Sequence, residues 1–301
     1  MKKTLLGLLG LLMVWSCGNS GINANNGGKE LKGEIIIDGS STVAPISSAV
    51  AEEFFRENRN VNIAIGISGT GGGFKKFAVG EIDIANASRK IKEKEAKEAK
   101  KNGVEYIELQ VALDGIAVVV NKENTWAQEL TEEDLKKIWE NGLKIMNWKE
   151  INPSWPSEII KLYGPDQDSG TFDYFVEEIL GKDGQIRIDY SPSSDDNQLV
   201  QGVEGDKGSL GFFGYAYYIE QKDKLNAVAV NGVRPTDETV KTGKYKPLSR
   251  PLYIYVNKKS LKEKPEVRAF VEYYLKNASK AVKLTGYVPL SDYTKQLELI
   301  K

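Results

Sequence analysis

The chain has 301 residues, enough for two ordinary domains or one large one, and its 41% hydrophobic and 28% charged content is that of a folded soluble protein. With a net charge of −1 and no basic stripe, it lacks the footprint of a nucleic-acid binder. Histidine is absent and cysteine occurs once, which excludes a Ser-His-Asp or Cys-His nucleophile, a His- or Cys-ligated zinc or copper site, and any disulfide.

Met1, Lys2 and Lys3 open the chain with positive charge, and TLLGLLGLLMVW follows as an apolar run too short to span a bilayer as a mature helix. The run stops at VWSCGNS, where small Ser16 precedes Cys17. This resembles the lipobox of bacterial lipoproteins, although Trp15 is an unusual occupant. It predicts a signal peptide over 1–16, a lipid on Cys17 and a mature chain held at the outer face of the cell membrane, in a periplasm or on the cell surface. An ordinary signal peptide beside an incidental cysteine is the alternative. Residues 17–30, rich in Gly and Asn, read as a flexible tether.

Strand and helix then alternate. GEIIIDGSS (33–41) reads as a strand ending in a turn, and a helix follows from Thr42 to Arg56 with Val43, Ile46, Val50 and Phe54 on one face. VNIAIGI (61–67) is a second strand, GGFKKFAVG (72–80) a short helix and IDIANAS (82–88) a buried third strand. KIKEKEAKEAKK (90–101) has the i,i+4 pairs of a solvated helix. VEYIELQ (104–110) and GIAVVVN (115–121) read as two further extended runs. A helix at 131–139, a strand at 159–164 and a helix after Gly170 follow, with PLYIYVN (251–257) extended near the end. The pattern is α/β with a mostly parallel sheet. Two lobes fit the length: one of 31–113 plus 258–301, the other of 122–250, with crossings near 114–121 and 251–257.

Three strand-to-helix loops are of one kind: DGSSTVAP (38–45), SGTGGGF (68–74) and DQDSGTF (166–172). Each puts Ser, Thr and Gly where a helix starts. Free N–H groups and the positive end of the helix dipole attract anions there, and glycine admits close approach. Each loop taken alone also reads as an ordinary N-cap, but ligand sites of α/β sheets lie at the carboxyl ends of strands. A P-loop is ruled out because Gly72 stands where lysine is needed, and GISGT lacks the second glycine of a nucleophile elbow. The aromatics of GFFGYAYYI (211–219) and NWKEINPSW (147–155) read as packing rather than a sugar platform. SPSSDDNQLV (191–200) reads as another capped helix start.

DGSSTVAP, SGTGGGF, IDIANASRKI, DSGTF and PLSRPLYIYV, in this order and spacing, resemble the phosphate-binding (PstS-type) protein of the bacterial Pst ABC transporter, from Gly33 to the carboxyl terminus. The resemblance implies a two-lobed periplasmic-binding-protein fold of class II type, each lobe a sheet flanked by helices, with the ligand cleft between lobes. It also implies a monomeric receptor rather than an enzyme, without metal or cofactor, that delivers inorganic phosphate to permease subunits in the membrane. Another tetrahedral oxyanion, such as sulfate, molybdate or phosphonate, is the alternative cargo, and a phosphatase or an adhesin the alternative use of the fold. Carried across by motif, the phosphate oxygens fall to Ser41 and Thr42 with the Val43 amide, to Ser68, and to Ser169, Gly170 and Thr171. Two positions depart from the family: Ser88 stands where an aspartate accepts the proton of hydrogen phosphate, and Pro165 where an arginine supplies positive charge. Arg89 and Asp114 are the candidates for those two roles. Otherwise Asp114 is a turn aspartate before Gly115, and Arg89 a surface arginine or one paired with Asp83 or Asp168.

Overall fold

Runs of β-branched residues closed by glycine build the framework, with helices following most of them. The computed structural model describes residues 30–142, 145–167 and 169–301, and the body treated below is Leu31–Lys301. The expected signal peptide, most of the tether, Cys17 and Asp168 lie outside the described residues.

In the first part β1 (Gly33–Gly39) leads to α1 (Ala44–Glu57), β2 (Val61–Ile65) to α2 (Gly69–Ala78), and β3 (Ile84–Ala87) to α3 (Glu93–Lys101). The long strand β4 (Tyr106–Asn121) follows. The middle part contains β5 (Glu129–Leu130), α4 (Glu132–Trp139), α5 (Trp148–Ile151), β6 (Lys161–Pro165) and α6 (Gly170–Phe175), which continues as a π-helical turn, Val176–Leu180. Next come β7 (Ser191–Ser193), α7 (Asp196–Glu204), β8 (Ser209–Gly214), α8 (Tyr215–Gln221), β9 (Leu225–Ala227), β10 (Ala229–Val230) and α9 (Asp237–Lys241). The chain returns through β11 (Ser249–Asn257), α10 (Lys258–Glu263), α11 (Pro265–Leu284), β12 (Val288–Pro289) and α12 (Thr294–Leu299).

The main sheet runs β2-β1-β3-β11-β4-β8-β6-β7. Its outer ladders, β2-β1-β3 on one side and β8-β6-β7 on the other, are parallel. The joining ladders through β11 and β4 are antiparallel. Strand β4 is shared: Tyr106 to Gly115 pair with β11, and Ile116 to Val120 pair with β8. Two cores result. The first gathers Ile35, Ile37, Val50, Phe54 and Ile254 against α11, where Phe270 meets Phe54 edge-on with ring centroids 5.4 Å apart. The second gathers Val118, Trp139, Phe175 and Phe212, the last two stacked at 3.8 Å. Each fully buried side chain of this size contributes about 1.5–3 kcal/mol. The aromatics of 211–219 are packing residues in part, with Phe212, Phe213 and Tyr215 buried.

Two local expectations need correction. The runs 104–110 and 115–121 are one strand, because Asp114 and Gly115 stay extended and pair with Arg250 and Ser249 of β11. Helix α2 begins at Gly69 rather than at Gly72. Glycine is a poor helix former, but here tertiary contact decides: a Cβ on Gly73 would sit 2.6 Å from Gly39 Cα, so α2 lies flush against β1.

Candidate functional site

At the end of β1 the chain turns through Ser40, Ser41 and Thr42 into α1. Ser40 N–H donates to the Asn86 carbonyl at 2.9 Å, which ties this corner to β3. Pro45 occupies the first turn of α1, where its missing N–H costs nothing, and Val43 caps the helix without a side-chain bond. Among the described residues no acceptor meets the amides of Ser41, Thr42 or Val43. Val43 is fully buried and does not line the cavity, unlike Ser41 and Thr42. Unpaired amides at a helix start form an anion-binding hollow.

The glycine-rich corner stands beside it. Gly69, Thr70 and Gly71, the first turn of α2, line the same cavity as Ser41 and Thr42, with a volume of about 790 Å³. Thr70 Oγ1 accepts from the Ser88 amide at 3.1 Å and lies 3.0 Å from Ser88 Oγ, joining this corner to the end of β3. Ser68 is placed differently. Its hydroxyl donates to Asp38 Oδ1 at 2.6 Å, and Asp38 is also paired with Lys76. Burial pushes the Asp38 carboxyl up, but the bonds from Lys76 and Ser68 outweigh it and hold the group below the ordinary carboxylate range. The Ser68 side chain is thus already committed.

Arg89 and Asp114 occupy different surroundings. Arg89 lines the cavity, but its guanidinium grips Glu95 at 2.8 and 2.9 Å. That hydrogen bonding raises the Arg89 pKa. Glu95 is held low, because its bonds from Arg89 and the Lys92 amide outweigh the upward push of burial. Of its two anticipated partners, Asp83 pairs instead with Lys264, at 2.9 Å. Asp114 is 1% exposed and lies beneath the cavity, in mid-strand rather than in a turn. Its carboxyl is pushed up by burial, against the opposing pull of Arg250, whose Nε lies 3.3 Å from Asp114 Oδ2. Arg250 does line the cavity. Its Nη2 donates to Thr42 Oγ1 at 3.2 Å, and its Cζ stands 3.5 Å from the centre of the Tyr174 ring.

The second lobe forms the facing wall. Ser169 caps α6, its Oγ accepting from the Thr171 amide at 3.2 Å. Gly170 lies against the first lobe's corner: a Cβ there would sit 2.9 Å from Thr42 Oγ1. Ser169 itself faces a separate hollow of about 420 Å³ with Ser193, Ser194 and Asp196. On the main cavity this lobe presents Asp173, Glu177, Glu178 and Lys182, and the first presents Arg89, Lys90 and Lys92. Burial raises the carboxyls of Asp173 and Glu178; Arg250 opposes this and Glu177 adds to it.

These corners occur in a sequence with clear relatives. A profile described as the PBP superfamily domain matches residues 24–278. Protein SphX of Synechococcus elongatus is 51% identical over 263 residues, covering 85% of this chain and 77% of that one. The phosphate-binding protein PstS of Staphylococcus saprophyticus is 43% identical over 292 residues, covering 95% of this chain and 89% of its own. The chain belongs to the PBP superfamily and, within it, to the PstS-type proteins. The crystal structure of a possible phosphate binding protein from Planctomyces limnophilus superposes with a TM-score of 0.86 at 47% identity, covering 90% of this chain and 98% of that one.

For a PstS-type chain, sequence reasoning brought Ser41, Thr42, Ser88 and Arg89 to one cavity, with Gly170 in contact with Thr42. It missed Arg250, Tyr174, Thr70 and Asp173. Arg250 stood inside the PLSRPLYIYV motif, an arginine heading an apolar strand, but nothing local shows that the strand returns opposite Asp114.

Proposed function

We propose that this chain is an extracytoplasmic receptor that binds inorganic phosphate in the cavity between its lobes and hands it to an ABC permease. The supporting observation is the convergence of Ser41 and Thr42, with acceptor-free amides, the first turn of α2 and Ser88 on one cavity. Such groups hold a tetrahedral oxyanion without needing bulk positive charge. The names of the Staphylococcus and Planctomyces relatives support the same cargo. Asp173, Glu177 and Glu178 on the facing wall repel a fully ionised anion and can accept a hydrogen bond from one that still carries a proton, which favours hydrogen phosphate over sulfate.

On this reading the protein is a receptor and not an enzyme, its leader is removed, and a lipid on Cys17 holds it at the membrane. No helix among the described residues is long and apolar enough to cross a bilayer. Calorimetric titration with phosphate and with sulfate at neutral pH tests the cargo: the reading predicts saturable heat from phosphate alone. Equal affinity for sulfate makes it a general oxyanion receptor. Turnover of a chromogenic phosphate ester would contradict the non-enzyme reading.

A further inference from the structure

Arg250 is held from three sides by three parts of the fold. It stands on β11, directly across the ladder from Asp114 of β4. Its Nε donates to Asp114 Oδ2 at 3.3 Å, its Nη2 to Thr42 Oγ1 at 3.2 Å, and the Tyr174 ring covers one face at 3.5 Å. Thr42 belongs to the first lobe's corner, Tyr174 to α6 of the second lobe, and Asp114 to the strand that both lobes share. Tyr174 is itself fixed, 1% exposed and donating its hydroxyl to the Pro247 carbonyl at 2.6 Å.

A guanidinium carries five N–H donors. The contacts to Asp114 and Thr42 use two of them, and among the described residues no acceptor meets Nη1. Arg250 belongs to the cavity lining together with Ser41 and Ser88. Stability alone does not account for such an arrangement, because a buried ion pair is often replaceable by apolar residues at no loss. Arg89 is more committed, with three contacts to the Glu95 carboxylate and the Lys90 carbonyl that offset its charge.

We propose that Arg250 is the charged contact for the bound anion and couples its binding to lobe closure, with Asp114 as the positioning residue behind it. This rests on the anion-site reading given above. An oxyanion on the free edge of Arg250 also reaches the amides of the Ser41–Val43 turn, so one ligand ties the joining strands to the first lobe. The Tyr174 ring carries that contact into α6, whose first residue, Gly170, already lies against Thr42. Asp114 does not itself line the cavity and reaches it only through Arg250. It offsets the guanidinium charge when the site is empty and fixes its plane by the Nε bond.

The test is calorimetric titration of phosphate into the unsubstituted protein, Arg250→Gln, Arg250→Lys and the double variant Arg250→Gln/Asp114→Asn, with small-angle X-ray scattering at each end point. The double variant leaves no buried charge unpaired, so it separates loss of binding from loss of fold. Removing the charged contact weakens phosphate by about a hundredfold or more, and equally in the single and double variants. Arg250→Lys keeps part of the affinity, because it retains the charge but not the fork. The radius of gyration falls on phosphate binding in the unsubstituted protein and does not fall in the double variant. For Asp114→Asn the readout is the Arg250 Nε–Hε resonance, which is displaced before phosphate is added, together with weaker binding at an unchanged phosphate-to-sulfate ratio. A double variant that binds phosphate as tightly as the unsubstituted protein overturns the proposal and leaves the anion site standing. Absence of binding by the unsubstituted protein overturns the anion-site reading beneath it.

Discussion

Asp114 and Arg250 are 136 residues apart in sequence and side by side in the sheet. Half of this was legible: a carboxylate inside VALDGIAVVV requires a partner, since an unpaired charge in an apolar strand is expensive. The partner was not legible, because it depends on the register between two strands far apart in the sequence. Arg89 met a different limit: it lines the cavity, but its partner Glu95, six residues on, lies in a helix read as a solvated one. A second aspartate makes a prediction at this scale. Asp196, at the start of α7, has its carboxyl pushed up to about 6 by burial and by neighbouring Asp195. Its folded value exceeds its ordinary 3.8, so the native state retains a proton that the unfolded chain has lost. Stability therefore falls as pH rises from about 4 to about 6. Asp196→Asn removes this titration, and its stability gain over the unsubstituted protein grows from near zero at pH about 4 to at most about 3 kcal/mol at pH about 7. Denaturant unfolding at the two pH values measures it; a gain independent of pH would contradict the assignment.

At the scale of elements, the strand-to-helix corners were the most readable part of the chain. Ser, Thr and Gly at a helix start read as ordinary caps one loop at a time, but the β1–α1 and β2–α2 corners line one cavity together. The boundaries were less readable, because propensity placed the start of α2 after its glycines while packing placed it before them. A helix lying against a strand at glycine-to-glycine distance admits no side chain at the crossing. Gly73→Ala puts a methyl 2.6 Å from Gly39 Cα and 3.0 Å from the Asp38 carbonyl. Overpacking of this kind costs about 1–3 kcal/mol. Thermal unfolding should show a lowered Tm, together with weaker phosphate binding as α2 and its first turn move away from Ser41. A variant with unchanged Tm would show that α2 can shift without cost.

For the whole molecule, the alternation of elements indicated an α/β fold, whereas the antiparallel join at its centre is a property of topology alone. Strand β4 contributes to both large cores and pairs with β11, so on the proposed closure a ligand contacting Arg250 acts at the join between them. The lipid anchor proposed at Cys17 is tested separately. Cells expressing the chain and fed labelled palmitate should yield labelled protein, and Cys17→Ser should yield none. Equal label in both would contradict the lipid anchor.

The most direct test of phosphate binding at the Ser41–Val43 turn is calorimetric titration of phosphate into the unsubstituted protein and into Ser41→Asp. The substitution places a carboxylate among the amides that meet the anion, and Ser41 is only partly buried, so the fold has room for it. The account predicts a single saturable heat for the unsubstituted protein and none for Ser41→Asp at an unchanged Tm. Equal heats from both would put the anion elsewhere in the molecule, and no heat from the unsubstituted protein would remove phosphate as its ligand.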